Sequence, residues 1–220
     1  MRDENPHRDD QGARPRAMGS VAFKPKDTLG FITLEEVERL ARTMRTLDLG
    51  EAKLTADQRF LFLGLGEEQA QAAREALGVV APPRSLSVHA CPGSAGCKNG
   101  LRDTISIARR LQAHLSDLSF PAKVKIGVSG CPRCCAESMV RDLGLIGRTN
   151  GWTLAFGGNA GIAPRTADVL ASGLSDDDSL DLSRRILHMY LESAPAKTRT
   201  ARFVEREGIE VLRAKLGLRT

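Results

Sequence analysis

Apolar and polar positions along the chain alternate with two periods, and the changes between them mark out the elements. Residues 33–48, TLEEVERLARTMRTLD, place Leu34, Val37, Leu40, Ala41 and Met44 on one helical face, and Thr33 with Glu36 forms a capping-box pattern. AKLTADQRFLFLGL (52–65) concentrates its apolar residues between Phe60 and Leu65 and predicts a hairpin or a single strand. GEEQAQAAREALG (66–78) predicts a second helix closed by Gly78. These elements make a small α/β layer unit, and the APP of residues 81–83 marks a domain boundary.

The second part opens with a short strand, SLSVHA (85–90). A helix follows from about Leu101 to Leu118, with Leu101, Ile105, Ala108, Leu111, Leu115 and Leu118 on its stripe. Pro121 ends that region. AKVKIGVSG (122–130) is a strand by alternation, Val124, Ile126 and Val128 on one face and Lys123 and Lys125 on the other. LGLIG, WTLAFGG, a helix over about 176–193 and one or two short helices in TARFVEREGIEVLRAKL complete the pattern.

Composition narrows the class. Aromatic residues are 4% of the chain, which predicts an aliphatic core. No apolar run approaches the roughly 18 residues of a membrane span. The first twenty residues are polar and lack the apolar stretch of a secretory signal; residues 1–19 read as a disordered tail of a cytoplasmic protein. The net charge is +5, which suits a polyanionic cofactor, an anionic substrate or an acidic redox partner. One Trp and one Tyr are too few to interleave a single-stranded nucleic-acid site.

The five cysteines change the picture most. An odd, clustered set without an export signal argues against a disulfide framework and for metal or redox chemistry. Cys91 and Cys97 lie in CPGSAGC, a glycine-rich loop leading into a helix. Cys131, Cys134 and Cys135 lie in VSGCPRCCAES at the end of the lysine-bearing strand. Four thiolates from two such clusters can hold zinc or an iron–sulfur cluster. The five-residue gap of the first pair is loose for a tetrahedral zinc knuckle, whereas a cubane accepts it. Chemistry alone leaves Cys134 and Cys135 as alternative partners of Cys131.

CPGSAGC followed by GCPRCC resembles the siroheme-dependent nitrite and sulfite reductase family, whose pattern is C-x5-C and then C-x3-C. The resemblance runs over about residues 20–215 and is nearest to the small, single-repeat assimilatory-type sulfite reductases. It implies an α+β fold: a ferredoxin-like half-domain over 20–83, packed on an α/β siroheme and [4Fe-4S] binding domain over 84–220. It selects Cys91, Cys97, Cys131 and Cys135 as cluster ligands, with Cys135 also axial to the siroheme iron, and leaves Cys134 as a bystander. TADQ (55–58) matches a motif on a strand facing the haem, and FGGNAG, with Asn159, matches a turn near the cofactor.

The same resemblance implies site roles. Lys123 and Lys125 match a lysine pair that contacts the anionic substrate. Asp57 stands in place of an arginine, so Arg59 is the cation expected to reach in, and His89 also replaces an arginine. Gln58, Lys98, Arg133, Arg141 and Asn159 are expected at the cofactor, with Arg102, Arg148 and Arg165 as further partners for its carboxylates. The implied activity is six-electron reduction of sulfite to sulfide, or of nitrite to ammonia. No dinucleotide-binding motif is present, so electrons come from an external acidic carrier such as ferredoxin. One chain or a homo-oligomer would complete the pocket. The competing readings are an electron-transfer or sensing module that keeps the cluster, a corrinoid-biosynthesis relative, and a zinc-stabilised nucleic-acid binder.

Overall fold

The computed structural model describes residues 19–23, 25, 29–78 and 86–218. The expected tail lies outside these apart from Gly19, as does the APP boundary segment. The chain divides into two compact units, Met1–Pro82 and Pro83–Thr220.

In the first unit, β1 (Gly19–Phe23), β2 (Lys53–Leu54) and β3 (Phe60–Leu65) form an antiparallel sheet in the order β1-β3-β2. The helices are α1 (Leu34–Thr46) and α2 (Glu67–Leu77). The capping box at α1 is present: the Glu36 amide donates to Thr33 Oγ1 at 3.2 Å and the Thr33 amide to Glu36 Oε2 at 2.9 Å. Gly78 ends α2 in the left-handed conformation. Val21, Phe23, Leu40, Phe62, Leu65, Ala70, Ala73 and Leu77 form the core. The predicted apolar stripe of α1 does not match its buried face. Glu36, Leu40 and Thr43 are buried, whereas Leu34 is 75% and Val37 43% exposed. The inward face is turned by about one residue from the apolar stripe.

The second unit holds a five-stranded sheet in simple sequence order. β4 (Leu86–Ala90), β5 (Val124–Ser129) and β6 (Leu143–Arg148) run parallel; β7 (Gly151–Phe156) and β8 (Asp168–Leu174) continue antiparallel. A four-residue helix α3 (Gly93–Gly96) follows β4, and α4 (Thr104–His114) crosses to β5. The predicted helix from Leu101 starts three residues later, because Asp103 takes the amides of Ile105 and Ser106 on its side chain. Leu101 is left outside it. α5 (Asp176–Ser193), α6 (Thr200–Glu207) and α7 (Ile209–Lys215) complete the unit.

The core is not purely aliphatic. Trp152, Phe156, Tyr190 and Phe203 are fully buried, with the Tyr190 and Phe203 rings edge-to-face at 5.4 Å. In the second unit, Phe156 of β7, Tyr190 of α5 and Phe203 of α6 pack edge-to-face with one another. Among the described residues, no helix is long and apolar enough to cross a membrane.

Candidate iron–sulfur centre

Parallel strands deliver both cysteine loops to one place. β4 ends at Ala90 and β5 at Ser129, with Ala90 in register with Val128. Cys91 and Cys131 therefore leave adjacent carboxyl ends, where open α/β sheets bind ligands. The loops are stitched together by backbone. The Cys91 amide donates to Val128 O at 3.1 Å and the Leu101 amide to Gly130 O at 2.8 Å. The Gly130 amide donates to Cys91 Sγ at 3.2 Å. Buried Thr104 donates its hydroxyl to Cys91 O at 2.5 Å. Within the first loop the Cys97 amide returns to Gly93 O at 2.9 Å and the Gly100 amide to Cys97 O at 2.8 Å. Two glycines are required by contact. A Cβ on Gly100 would lie 2.3 Å from Gly93 O, and one on Gly147 would lie 2.6 Å from Gly130 O.

The second loop winds through two tight turns. The Cys134 amide donates to Cys131 O at 3.2 Å and the Glu137 amide to Cys134 O at 2.7 Å. Cys134 and Glu137 take φ values of 52° and 58°. Cys131 is buried, Cys134 half-buried and Cys135 exposed. Burial pushes the Cys134 thiol above its ordinary pKa, and Arg148 offsets this only in part. Cys91, Cys131 and Cys135 stand close enough to act on that thiol and raise it further. Cys134 thus differs from its neighbour Cys135 in both burial and electrostatic surroundings.

Among the described residues, no three His, Cys, Asp or Glu side chains converge as around a single metal ion. A cubane's thiolates bind separate irons and stand further apart. The soft donors, the backbone N–H already on Cys91 sulfur and the close-packed glycines suit such a cluster.

The polar residues of β4 and β5 share one sheet face. Ser87 lies in register with Lys125 and His89 with Gly127, opposite the buried Val88 and Ile126. Ser87 Oγ and His89 Nε2 are 3.2 Å apart. Lys123 precedes the strand on the same side by alternation. Lys123 and Lys125 thus stand at the start of β5, whereas His89 lies further along the same face, in register with Gly127 near the carboxyl end of β4. The cysteines leave the other end of β5, and Lys125 is about 13 Å from Ser129 along the strand.

Several expected cofactor contacts have internal partners. Arg102 binds the carbonyls of Arg148 at 2.9 Å and Thr149 at 2.8 Å, fixing the β6–β7 turn beside the first loop. Arg165 is held by Asp168 and Gly157 O. Asn159 braces its own loop, donating to Ala163 O at 2.7 Å. Arg141 pairs with Glu137 at 2.8 Å, yet its Nε is buried with no protein partner, a donor free for a cofactor carboxylate. Lys98, Arg133 and Arg148 are exposed. In the first unit, Gln58 sits at φ 57° in the β2–β3 turn with a buried, unpartnered Oε1, and Arg59 is paired with Asp57 at 2.9 Å.

Sequence reasoning missed Asp142, which is 1% exposed. It accepts from the Lys125 amide at 2.8 Å, from Arg199 at 2.6 Å and from the Thr200 hydroxyl, tying α6 to β5. A lone aspartate before a strand reads as a turn residue, and nothing local marks its distant partners.

A mixed sheet with cysteines at the carboxyl ends of two parallel strands has the form of an iron–sulfur domain. Residues 83–220 match the family described as the nitrite and sulphite reductase 4Fe-4S domain. The chain is 39% identical over 198 residues to an assimilatory-type sulfite reductase of Nitratidesulfovibrio vulgaris, covering 88% of this chain and 91% of that protein. It is 31% identical over 214 residues to the nitrite reductase (NADH) large subunit of Escherichia coli, covering 91% of this chain but 25% of that one. The structure of the Mycobacterium tuberculosis NirA protein superposes with a TM-score of 0.72 at 20% identity, over 93% of this chain and 40% of NirA. The chain belongs to the nitrite and sulfite reductase family. It is an oxidoreductase domain whose cofactors are those of the family, a [4Fe-4S] cluster and siroheme.

Proposed function

We propose that the chain reduces sulfite to sulfide, with nitrite to ammonia as the near variant, using electrons from an external acidic carrier such as ferredoxin. The observation that carries this reading is the 39% identity to an assimilatory-type sulfite reductase along 91% of its length. Cys91, Cys97, Cys131 and Cys135 would hold the cluster, with Cys135 shared with the siroheme iron. When bound, the coupled pair supplies an iron that ligates the substrate and a route for single electrons. Conversion of sulfite to sulfide takes up six electrons and six protons and releases three waters.

The residues of the chain supply charge and protons. Lys123 and Lys125 present ammonium groups on the polar sheet face, where they attract a small anion and can donate protons to departing oxygen. His89, further along the same face, has ring nitrogens that can relay protons. Arg141 Nε and the exposed Arg133 and Lys98 suit siroheme carboxylates. Arg59, held by Asp57, and Gln58 are the contacts proposed from the first unit.

The first test is the visible spectrum of protein purified anaerobically from siroheme-replete cells, followed by sulfite- and nitrite-dependent oxidation of reduced methyl viologen. An isobacteriochlorin spectrum that shifts with sulfite, with turnover, supports the proposal. An iron–sulfur shoulder alone would move the reading to electron transfer or corrinoid synthesis. A colourless zinc protein would end it.

A further inference from the structure

The second cysteine loop is closed at its base by two hydroxyls that play no part in the chemistry above. Ser129 ends β5, and Ser138 opens a 3₁₀ turn, Ser138–Val140, on the far side of the loop. Both are buried, at 1% and 0% exposure. Ser129 Oγ accepts the amide of Ala136, the residue after Cys135, at 3.1 Å. It lies 2.8 Å from Ser138 Oγ. Ser138 Oγ is 3.0 Å from Gly127 O on β5 and 3.1 Å from Leu145 O on β6. Each hydroxyl has one proton to give, and both carbonyls can only accept. Ser138 therefore donates to a carbonyl and Ser129 donates to Ser138. One line of hydrogen bonds runs from the backbone at Cys135 into the two central strands.

The loop needs such a tie. Between the serines, Cys134 and Glu137 hold left-handed backbone that residues with side chains adopt only at a cost. A strained segment keeps its shape when its surroundings over-determine it, and the hydroxyl pair does this at both ends of the loop.

We infer that Ser129 and Ser138 are positioning residues for the cluster, fixing the backbone so that the Cys131 and Cys135 thiolates are preset before iron arrives. The inference rests on the proposal that those two cysteines are ligands. Neither serine needs to touch the cofactor; each acts through the Ala136 amide, as outer groups tune other metal centres. A purely structural role would cost stability and leave the bound cluster unchanged.

The test reconstitutes the full chain anaerobically with iron and sulfide. It compares wild type with Ser129→Ala, Ser138→Ala, Ser129→Thr and a matched control, Ser183→Ala. Ser183 is equally buried and donates to Ser179 O at 2.6 Å within α5. Iron per chain, the rate of iron release to a ferrous chelator, and the EPR g-values of the reduced cluster are read. The two alanine variants at the loop are expected to load iron, to release it roughly ten- to a hundredfold faster than wild type, and to show shifted g-values. Ser129→Thr, which keeps the hydroxyl, is expected to restore the wild-type signal, and Ser183→Ala to match wild type. Loop variants whose release rate and g-values equal those of Ser183→Ala would overturn the inference. Should the alanine variants not fold, Ser129→Cys, with its weaker acceptor, is expected to release iron faster than wild type, and an unchanged rate would overturn it equally. A wild-type chain that binds no cluster would instead sink the ligand assignment, and the inference with it.

Discussion

Cys134 and Cys135 are chain neighbours with different surroundings, the first half-buried with a raised pKa and the second exposed. Cys135→Ser is expected to abolish cluster loading, and Cys134→Ser to preserve it, by iron content and EPR. The reverse pattern would assign the site to a C-x2-C pair. Residue chemistry alone leaves the two thiols unranked and the family resemblance selects Cys135; the left-handed turn that separates their environments is not legible in the local sequence. Asp57 is a second residue-scale case. Its 2.9 Å pair with Arg59 competes with any anion for that guanidinium. Asp57→Asn is expected to lower the apparent KM for sulfite by up to about fivefold, the roughly 1 kcal/mol ceiling of a partly exposed pair, with kcat little changed. A higher KM would mean that Asp57 orients Arg59 rather than masking it.

At the scale of elements, caps and alternation were legible and edges were not. Thr33 and Glu36 announce α1, and the bonds they predict are present. Thr33→Ala is expected to cost about 1 kcal/mol in urea unfolding. β8 carried no readable signal, because its residues are mostly exposed or half-exposed and include Gly173. The α1 stripe misled because a buried Glu36 counts as polar in any pattern. The cysteine loops were legible as loops, but the contact of Gly147 with Gly130 joins segments far apart in sequence. Gly147→Ala is expected to destabilise the second unit severely in thermal melts, since its Cβ would stand 2.6 Å from a carbonyl oxygen and 2.8 Å from its carbon.

Across the whole molecule, charge and cofactor set the conditions of stability. Arg184 grips Asp117 at 2.9 and 2.6 Å and pulls its carboxyl down to about 2 from 3.8. A depressed carboxylate contributes stability above its ordinary pKa, and that contribution is lost as pH falls through the folded value. Asp117→Asn is therefore expected to flatten the urea midpoint between about pH 4 and 2. At pH 7, where that contribution is fully present, the variant should show a lower midpoint than wild type, modestly so because the pair is solvent-screened.

The stitching of the first cysteine loop has a consequence for biogenesis. Arg102 is anchored on the carbonyls of Arg148 and Thr149, and Gly130 is packed under Gly147. A ribosome that has just translated Cys135 has supplied all four proposed ligands but none of the β6–β7 hairpin that holds them in place. On the proposed ligand set, the ordered cradle exists only once that hairpin has been translated.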